Sequence, residues 1–258
     1  RNAFERDEQW EVNSLVGLVA DIGKPWPRGD KPGTFPKDRQ TLFSYDLIIM
    51  GEVPRSMIKD EELDWIRTFV ETRAGGVIFI AGQYGLLRKY TQGPLAALLP
   101  VQPLPAGQSA GSDAMPRQLT LTETGAGLGA LTLDSDTDEN RRLWESLRPP
   151  HWVAPVKALP GSETLIEASS GASRTPALVF RRFGAGKVLY AAFDESWRWR
   201  YEVADLHHTR YWNQVGNWIM EKPFSVRAKH VWLDLDKTTY NPRDKAQVRL
   251  RLRDKDGT

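Results

Sequence analysis

The chain of 258 residues contains no cysteine. This absence excludes thiol nucleophiles, disulfide bonds, iron–sulfur clusters and cysteine-ligated zinc. The sequence also lacks a large excess of charge of either sign. It has 35 Lys and Arg and 33 Asp and Glu, which gives a formal net charge of +2. Proteins that neutralise phosphates normally carry more positive charge, so nucleic acid is not an expected partner. No apolar run approaches the roughly 18 residues of a membrane span, so we expect no direct membrane insertion by this segment.

Histidine is scarce as well, with four residues of which only His207 and His208 lie close in sequence. Two adjacent residues on a helix point in different directions, so this pair makes a poor metal clamp. The run 125–129, Gly-Ala-Gly-Leu-Gly, resembles a dinucleotide fingerprint. No long helix is predicted after it, so we interpret it as a turn. We therefore expect no metal and no cofactor.

The most regular part of the sequence lies between residues 45 and 81. Residues Tyr45 to Met50 form a continuous apolar run, which is typical of a strand buried on both faces. From Ser56, which can cap a helix, to Gly75 the apolar residues follow one helical stripe. Residues Val77 to Ala81 then predict a second buried strand. Strand, helix and strand in this order indicate a βαβ unit, and hence an α/β fold.

The second half of the chain predicts a hairpin, then a helix, and then two further strands. Residues 178–183 and 187–193 flank a Gly-Ala-Gly turn and predict a hairpin, and Leu206 to Met220 predicts an amphipathic helix. Residues 231–235 and 248–252 then alternate strictly between apolar and polar, as half-buried strands do. We predict two domains: an α/β domain over 1–222, and the truncated beginning of an all-β sandwich over 223–258.

Polar and aromatic side chains follow two of the predicted strands directly, at the place where open α/β sheets bind ligands. In the segment after the second of these strands, Trp alternates with Arg behind two acidic residues. One interpretation is an aromatic-lined polar site. The other, which we favour because ion-pair networks are often structural, is a latch in which Trp197 and Trp199 cover the sheet end. The candidate ligand or latch residues are Gln83, Tyr84, Asp194, Glu195, Trp197, Arg198, Trp199 and Arg200.

A second motif suggests hydrolase chemistry by its letters alone. Residues 107–111, Gly-Gln-Ser-Ala-Gly, match the string of a nucleophile elbow. That elbow needs a buried strand before the serine and a helix after it. Ser109 instead lies in a connector rich in Pro, Gly and Ser, so we interpret this segment as a loop.

The order of these features resembles the glutamine amidotransferase-like domain of large bacterial membrane-anchored proteins, which often stands beside a von Willebrand factor A domain. The resemblance covers nearly all of residues 1–222. It rests on the strand at 45–49 with Gly-Glu-Val-Pro after it, and on Gly75 to Gly82. Its most distinctive part is the run 194–200, Asp-Glu-Ser-Trp-Arg-Trp-Arg, followed by Tyr-Trp at 211–212.

This resemblance implies a flavodoxin-like, doubly wound sheet followed by an Ig-like module, with the first strand of the sheet before Arg1. The enzymes of the class I amidotransferase family use a Cys on the elbow, here 82–85, and a His after a late strand, here 193–196. Neither residue is present. Tyr84 is a poor substitute nucleophile because a tyrosine with its ordinary pKa of about 10 stays protonated. Glutamine hydrolysis by the family mechanism is therefore not expected.

Two functional hypotheses remain open. The first is a non-catalytic module that acts in protein interaction or scaffolding within a larger bacterial envelope-associated protein. Its partners would be other domains of the same polypeptide or complex, and the resemblance implies a membrane-anchored, periplasmic parent. The alternative is binding or processing of a small polar ligand, such as a sugar, at the carboxyl ends of the strands. That alternative needs Tyr84, Asp194, Trp197 and Arg198 to converge on an open cleft.

Overall fold

The computed structural model describes residues 2–5, 7–16, 25–105, 118–171, 173–200, 206–222, 226–228, 231–235, 245 and 248–252. The helices are α1 (Asn2–Glu5), α2 (Arg39–Leu42), α3 (Asp60–Arg73), α4 (Glu123–Ala126), α5 (Thr137–Ser146) and α6 (Leu206–Met220). The strands are β1 (Arg28–Gly29), β2 (Phe35–Pro36), β3 (Leu47–Met50), β4 (Gly76–Ile80), β5 (Val101–Pro103), β6 (Gln118–Leu121), β7 (Val156–Ala158), β8 (Glu163–Ser170), β9 (Ser173–Phe183), β10 (Gly186–Ala191), β11 (Val226–Ala228), β12 (Val231–Leu235) and β13 (Val248–Leu252).

Six of the strands form one mixed sheet in the order β3-β4-β10-β9-β8-β6. The first three run parallel, and β9, β8 and β6 pair antiparallel to their neighbours. Helix α3 connects β3 to β4, as the sequence predicts. A mixed sheet with helices establishes the α/β class. Because β3, β4 and β10 are parallel, their carboxyl ends meet at one edge, and the segments that follow them are brought together.

The predicted βαβ unit is confirmed, although its helix begins later than expected. Ser56 lies in a short 3₁₀ turn, Arg55–Met57, and α3 starts at Asp60. The Glu62 carboxylate accepts the Lys59 backbone N–H at 2.8 Å, which satisfies a donor at the start of the helix. The helix ends at Arg73, and the C-cap residue Ala74 adopts a left-handed conformation with φ of 59°.

The predicted hairpin is formed by β9 and β10, which are joined at Gly184 and Ala185. Gly184 has a φ of 56°, and a Cβ there would lie 2.4 Å from the Glu71 carbonyl oxygen, so only glycine fits. Strand β8, which no sequence pattern predicted, pairs with β9 and extends the sheet to β6. Helix α6 has the predicted bounds.

Buried aromatic side chains fill the space between α5, α6 and the segment after β10. Trp144 is fully buried and donates its Nε1–H to the Leu131 carbonyl oxygen at 2.8 Å. Its ring meets those of Trp199 and Tyr211 edge to face, with centroids 5.7 and 5.9 Å apart. These rings anchor α5 and α6 on the polypeptide that leaves the sheet.

Strands β11, β12 and β13 form a separate antiparallel sheet. Leu233, Val248 and Leu250 on it are exposed, and Leu233 pairs with Leu250 across the strands. The predicted strands at 231–235 and 248–252 are thereby confirmed. That they begin an Ig-like sandwich stays a prediction, and so do the two domain boundaries. In the part of the chain that the structure describes, no helix has the length and apolar character needed to cross a membrane.

Candidate functional site

The turn after β4 is the segment to which the resemblance assigns the nucleophile elbow. We call residues 82–86 the elbow turn. Gly85 within it has a φ of 65°, in the left-handed region that favours glycine. Gln83 and Tyr84 are exposed at its tip, and Tyr84 is 87 % exposed. The tip thus presents an amide and a phenol, neither of which is an activated nucleophile.

The elbow turn is tied to the end of the neighbouring strand by Glu52, which follows β3. Glu52 Oε1 accepts the Gly82 N–H at 2.9 Å, and Glu52 Oε2 accepts the Leu86 N–H at 3.0 Å. One carboxylate therefore satisfies two backbone donors of the turn. A Cβ at Gly82 would lie 2.5 Å from Glu52 Cγ, so the absence of a side chain there allows this close approach.

A small cavity of about 20 Å³ adjoins this carboxylate. It has room for about one water molecule, which is far less than a drug-sized ligand needs. Its lining includes Glu52, Gly82, Arg88, Trp152 and Tyr190. Burial and the nearby Glu52 carboxylate raise the pKa of the Tyr190 hydroxyl, which therefore stays protonated. Tyr84, Asp194, Trp197 and Arg198 are not among the residues that line this cavity.

Asp194 and Glu195, the two acidic residues after β10, have different surroundings. Asp194 lies at the surface beside the elbow, since a Cβ at Gly82 would be 3.3 Å from its Oδ2. Desolvation raises the pKa of Asp194, and the charges of Glu195 and Glu52 add to that shift. Glu195 is buried and accepts the His151 backbone N–H at 3.1 Å.

Arg198 completes a polar cluster with Glu195. Its Nη1 lies 3.4 Å from Glu195 Oε2 and also contacts His151 Nδ1. His151 Nδ1 is 3.3 Å from the same carboxylate oxygen. The side chain of Arg198 is 14 % exposed, so this pair is largely shielded from solvent. As arranged, the cluster attaches the segment after β10 to the loop before β7.

The Trp-Arg-Trp-Arg segment forms a 3₁₀ helix, Glu195–Arg200, which divides the two tryptophans. Trp199 is 3 % exposed and donates its Nε1–H to the Arg148 carbonyl oxygen at 3.2 Å. Trp197 is 47 % exposed, and Arg200 is half-buried. The structure therefore leaves Asp194, Trp197 and the elbow tip exposed in the segments that follow two adjacent parallel strands, and it packs Trp199 against Tyr211 of α6.

Ser196 is a further inward-facing member of this segment that the sequence analysis did not single out. Its Oγ accepts the Trp212 Nε1–H at 3.1 Å, and both residues are buried. Glu52, His151 and Arg148 were also missed. Glu52 could have been found, because it follows a predicted buried strand as directly as Gln83 does. His151 and Arg148 lie in a loop distant in sequence, where no pattern marks them.

Two other motifs of the sequence are the glycine-rich run at 125–129 and the serine motif at 107–111. A Cβ at Gly125 would lie 2.0 Å from the Leu165 carbonyl oxygen, so this glycine permits the packing of α4 against β8. Helix α4 has four residues, and the interpretation of 125–129 as a turn region without a long helix is supported. Ser109 lies outside the described residues. Among the described residues, no group of three or more His, Asp or Glu is placed to hold a metal ion.

Comparison with known proteins gives a likeness of fold alone. No family model and no curated protein matches the chain. Among solved structures, the cytoplasmic protein STM1381 of Salmonella typhimurium LT2 is similar, with a TM-score of 0.52, 19 % identity, and coverage of 72 % of this chain and 77 % of that one. The cytoplasmic protein STM3548 of Salmonella typhimurium gives a TM-score of 0.50, 18 % identity, and coverage of 72 % and 76 %. A β-galactosidase from Rahnella sp. R3 gives a TM-score of 0.38, 16 % identity, and coverage of 76 % and 26 %.

These comparisons correct one expectation. The resemblance implied an extracytoplasmic, membrane-anchored setting, and that expectation is wrong: the two similar Salmonella proteins, at TM-scores of 0.52 and 0.50, are described as cytoplasmic. The resemblance to amidotransferase-like domains itself is not tested by any of these matches, and it stays a prediction.

Proposed function

We propose that this chain is a non-catalytic module of the amidotransferase-like, flavodoxin-like type, which acts in protein interaction or scaffolding. The observation that carries the proposal is the use made of the elbow turn. Acyl-transfer enzymes direct backbone N–H groups at an oxyanion, whereas the Gly82 and Leu86 N–H groups of this turn have an acceptor within the chain. Here they are hydrogen-bonded to Glu52.

The residues after β10 support the same proposal. Where the enzymes carry a base, Glu195 is buried and engaged by Arg198 and by the His151 backbone N–H. Trp199 is packed into the aromatic cluster. A reacting group needs access to substrate and a partner that activates it, and these side chains have neither. The outward face retains Tyr84 and Trp197, residue types that interfaces favour.

A photo-crosslinking experiment tests this function. We would place p-benzoylphenylalanine at Tyr84 in the full-length natural polypeptide, expressed in its own cells, and place it at Arg142 as a control. The Arg142 side chain is 72 % exposed and lies on α5. We expect protein crosslinks from position 84 that are absent from position 142. Equal crosslinking at both positions, or none at either, would contradict the proposal.

Binding of a small polar ligand is a second candidate, favoured by one observation. Exposed Tyr84 and Trp197 follow adjacent parallel strands, with the Asp194 carboxyl between them in sequence and beside the elbow. Aromatic faces and carboxylates together suit sugars and other polyols. A thermal-shift screen of sugars, nucleotides and amino acids tests it, because a ligand specific to the folded state raises the melting temperature. A saturable shift that Tyr84→Ala abolishes would favour this candidate over the first.

A further inference from the structure

The elbow turn keeps its shape through hydrogen bonds of its own. The Gly85 N–H donates to the Gly82 carbonyl oxygen at 3.2 Å, and the Arg88 N–H donates to the Gly85 carbonyl oxygen at 3.1 Å. Before the turn, the Ala81 N–H donates to the Ala191 carbonyl oxygen at 2.8 Å. None of these bonds involves Glu52, so the direction of the Gly82 and Leu86 N–H groups is set by the turn and by the sheet.

Two fixed N–H groups that converge on one carboxylate form an anion site in the general sense. The occupant is supplied from far away in sequence, since Glu52 lies 30 residues before Gly82. It reaches the turn across the space left by the missing Cβ of Gly82. Arg88 lines the adjoining cavity together with Glu52.

The volume that the Glu52 side chain fills limits the size of a ligand that could take its place. Truncation of Glu52 at its Cβ removes a methylene and a carboxylate, a fragment that has the shape and charge of acetate. The cavity beside it adds about 20 Å³, which is close to the room of one water molecule. A small aliphatic carboxylate therefore matches the vacated volume, and a bulky anion does not.

We propose that the elbow turn is a carboxylate-binding site whose resident occupant is Glu52 and whose external ligand is a small aliphatic carboxylate. In the intact chain, Glu52 holds the Gly82 and Leu86 N–H groups, and such a ligand binds only where the Glu52 side chain is removed or displaced. The inference goes beyond the proposed function, because it concerns an anion site that exists with or without a protein partner.

Chemical rescue of Glu52→Ala tests the proposal. We would measure the melting temperature of this variant in sodium acetate and in sodium chloride of equal ionic strength, over a range of concentrations. We expect acetate to raise it saturably by about 4 °C relative to chloride, the shift of a weak ligand present well above its dissociation constant. Acetamide, the neutral analogue of the same shape, should have no effect, and benzoate should have little.

Two matched controls separate this site from a general salt effect. The unaltered chain should show no acetate-specific shift, because Glu52 fills the site. Glu61→Ala, which removes an exposed carboxylate in the first turn of α3, should behave like the unaltered chain. Coincident acetate and chloride curves for Glu52→Ala, or an equal acetate effect in all three proteins, would overturn the proposal.

A second variant covers the case in which Glu52→Ala does not fold. Glu52→Ser also vacates the volume of the carboxylate, and it keeps a polar group at the end of β3. For this variant we expect acetate to shift the backbone amide resonances of Gly82 and Leu86 in NMR spectra, with other amides unchanged. Unchanged Gly82 and Leu86 resonances would overturn the proposal. Because no partner protein enters these tests, their failure leaves the proposed function standing.

Discussion

Trp199 and Tyr211 meet edge to face, with ring centroids 5.2 Å apart and an angle of 80° between the rings. Trp199 belongs to the segment after β10, and Tyr211 to α6. Both are buried, with exposed fractions of 3 % and 1 %. This contact joins the polypeptide that leaves the sheet to the helix that covers it, which is what the latch interpretation of the Trp-Arg-Trp-Arg segment requires.

Replacement of Trp199 should therefore cost much stability. We expect Trp199→Ala to lower the free energy of unfolding by about 3–5 kcal/mol, the range typical of emptying a large buried aromatic site. Trp197→Ala is the matched control, because Trp197 is two residues away and 47 % exposed. It should cost about 1 kcal/mol or less. Urea unfolding of both variants measures the difference, and equal midpoints would rule the latch out.

The pair of Arg28 and Glu62 leads to a prediction on acid stability. Arg28 Nε and Nη2 donate to the two Glu62 oxygens at 2.8 and 2.7 Å, and Glu62 is 3 % exposed. Burial by itself would raise the pKa of Glu62, but the hydrogen bonds from Arg28 and the Lys59 N–H outweigh it, and the net pKa is lowered. A lowered pKa in the folded state means that the carboxylate stabilises the fold above its unfolded pKa of about 4.3.

That contribution should be lost as the pH falls from about 4 through the lower, folded pKa of Glu62. We expect Glu62→Gln to cost about 3 kcal/mol at pH 7, because it leaves Arg28 without a charged partner. The cost should shrink at acidic pH, where Glu62 binds a proton first in the unfolded chain and, at lower pH, in the folded one. Replacing Lys37, which pairs with Asp30 at the surface, should change the stability little at either pH, because solvent screens such a pair. A cost for Glu62→Gln that is the same at pH 3 and pH 7 would contradict the prediction.

Local patterns were sufficient for the elements whose signal lies within the element. Helix α6 has the predicted bounds, and β4 and β10 were found because each is a continuous apolar run. Strand β8 was missed because its polar residues interrupt the apolar pattern, and it is fixed by pairing with β9, which the sequence does not display. The start of α3 was predicted too early, at Ser56. The interaction that caps the helix comes from Glu62 inside it, and the position of Glu62 depends on Arg28, which lies 34 residues earlier.

The candidate site shows the same limit. The rule that ligand groups follow parallel strands located both segments, at 83–84 and at 194–200. It could not show which residues of the second segment face inward. In a short 3₁₀ helix, that orientation depends on the helices that cover it. Trp199 and Ser196 face α6, whereas Asp194 and Trp197 face solvent. Nor could a local pattern show that Glu52 would hydrogen-bond a turn 30 residues away.

Asp194 should destabilise the fold when it is charged. Desolvation and the neighbouring Glu195 and Glu52 charges raise its pKa, so the folded state binds the Asp194 proton more tightly than the unfolded chain does. Stability is therefore lost as the pH rises through the unfolded pKa towards the folded one, and the loss is complete above it. We expect Asp194→Asn to raise the melting temperature at pH 7 and to leave it unchanged at pH 3. Glu163→Gln, an exposed neutralisation on β8, is the control, and an equal gain there would show a general charge effect.

Gly82→Ala tests whether the contact between Glu52 and the elbow turn depends on the missing side chain. The new methyl group would lie 2.5 Å from Glu52 Cγ, a separation at which one of the two groups must move. Since the turn is held by its own hydrogen bonds, we expect Glu52 to be displaced and the free energy of unfolding to fall by about 1–3 kcal/mol. Gly51→Ala is the matched control at the same sheet edge, because a Cβ there meets nothing within 4 Å, and it should change stability by about 0.5 kcal/mol or less. If the loss in Gly82→Ala comes from Glu52, the double variant with Glu52→Ala should lose little more than Glu52→Ala alone, because the clash is then gone. Additive losses in the double variant would show instead that the methyl group strains the turn itself.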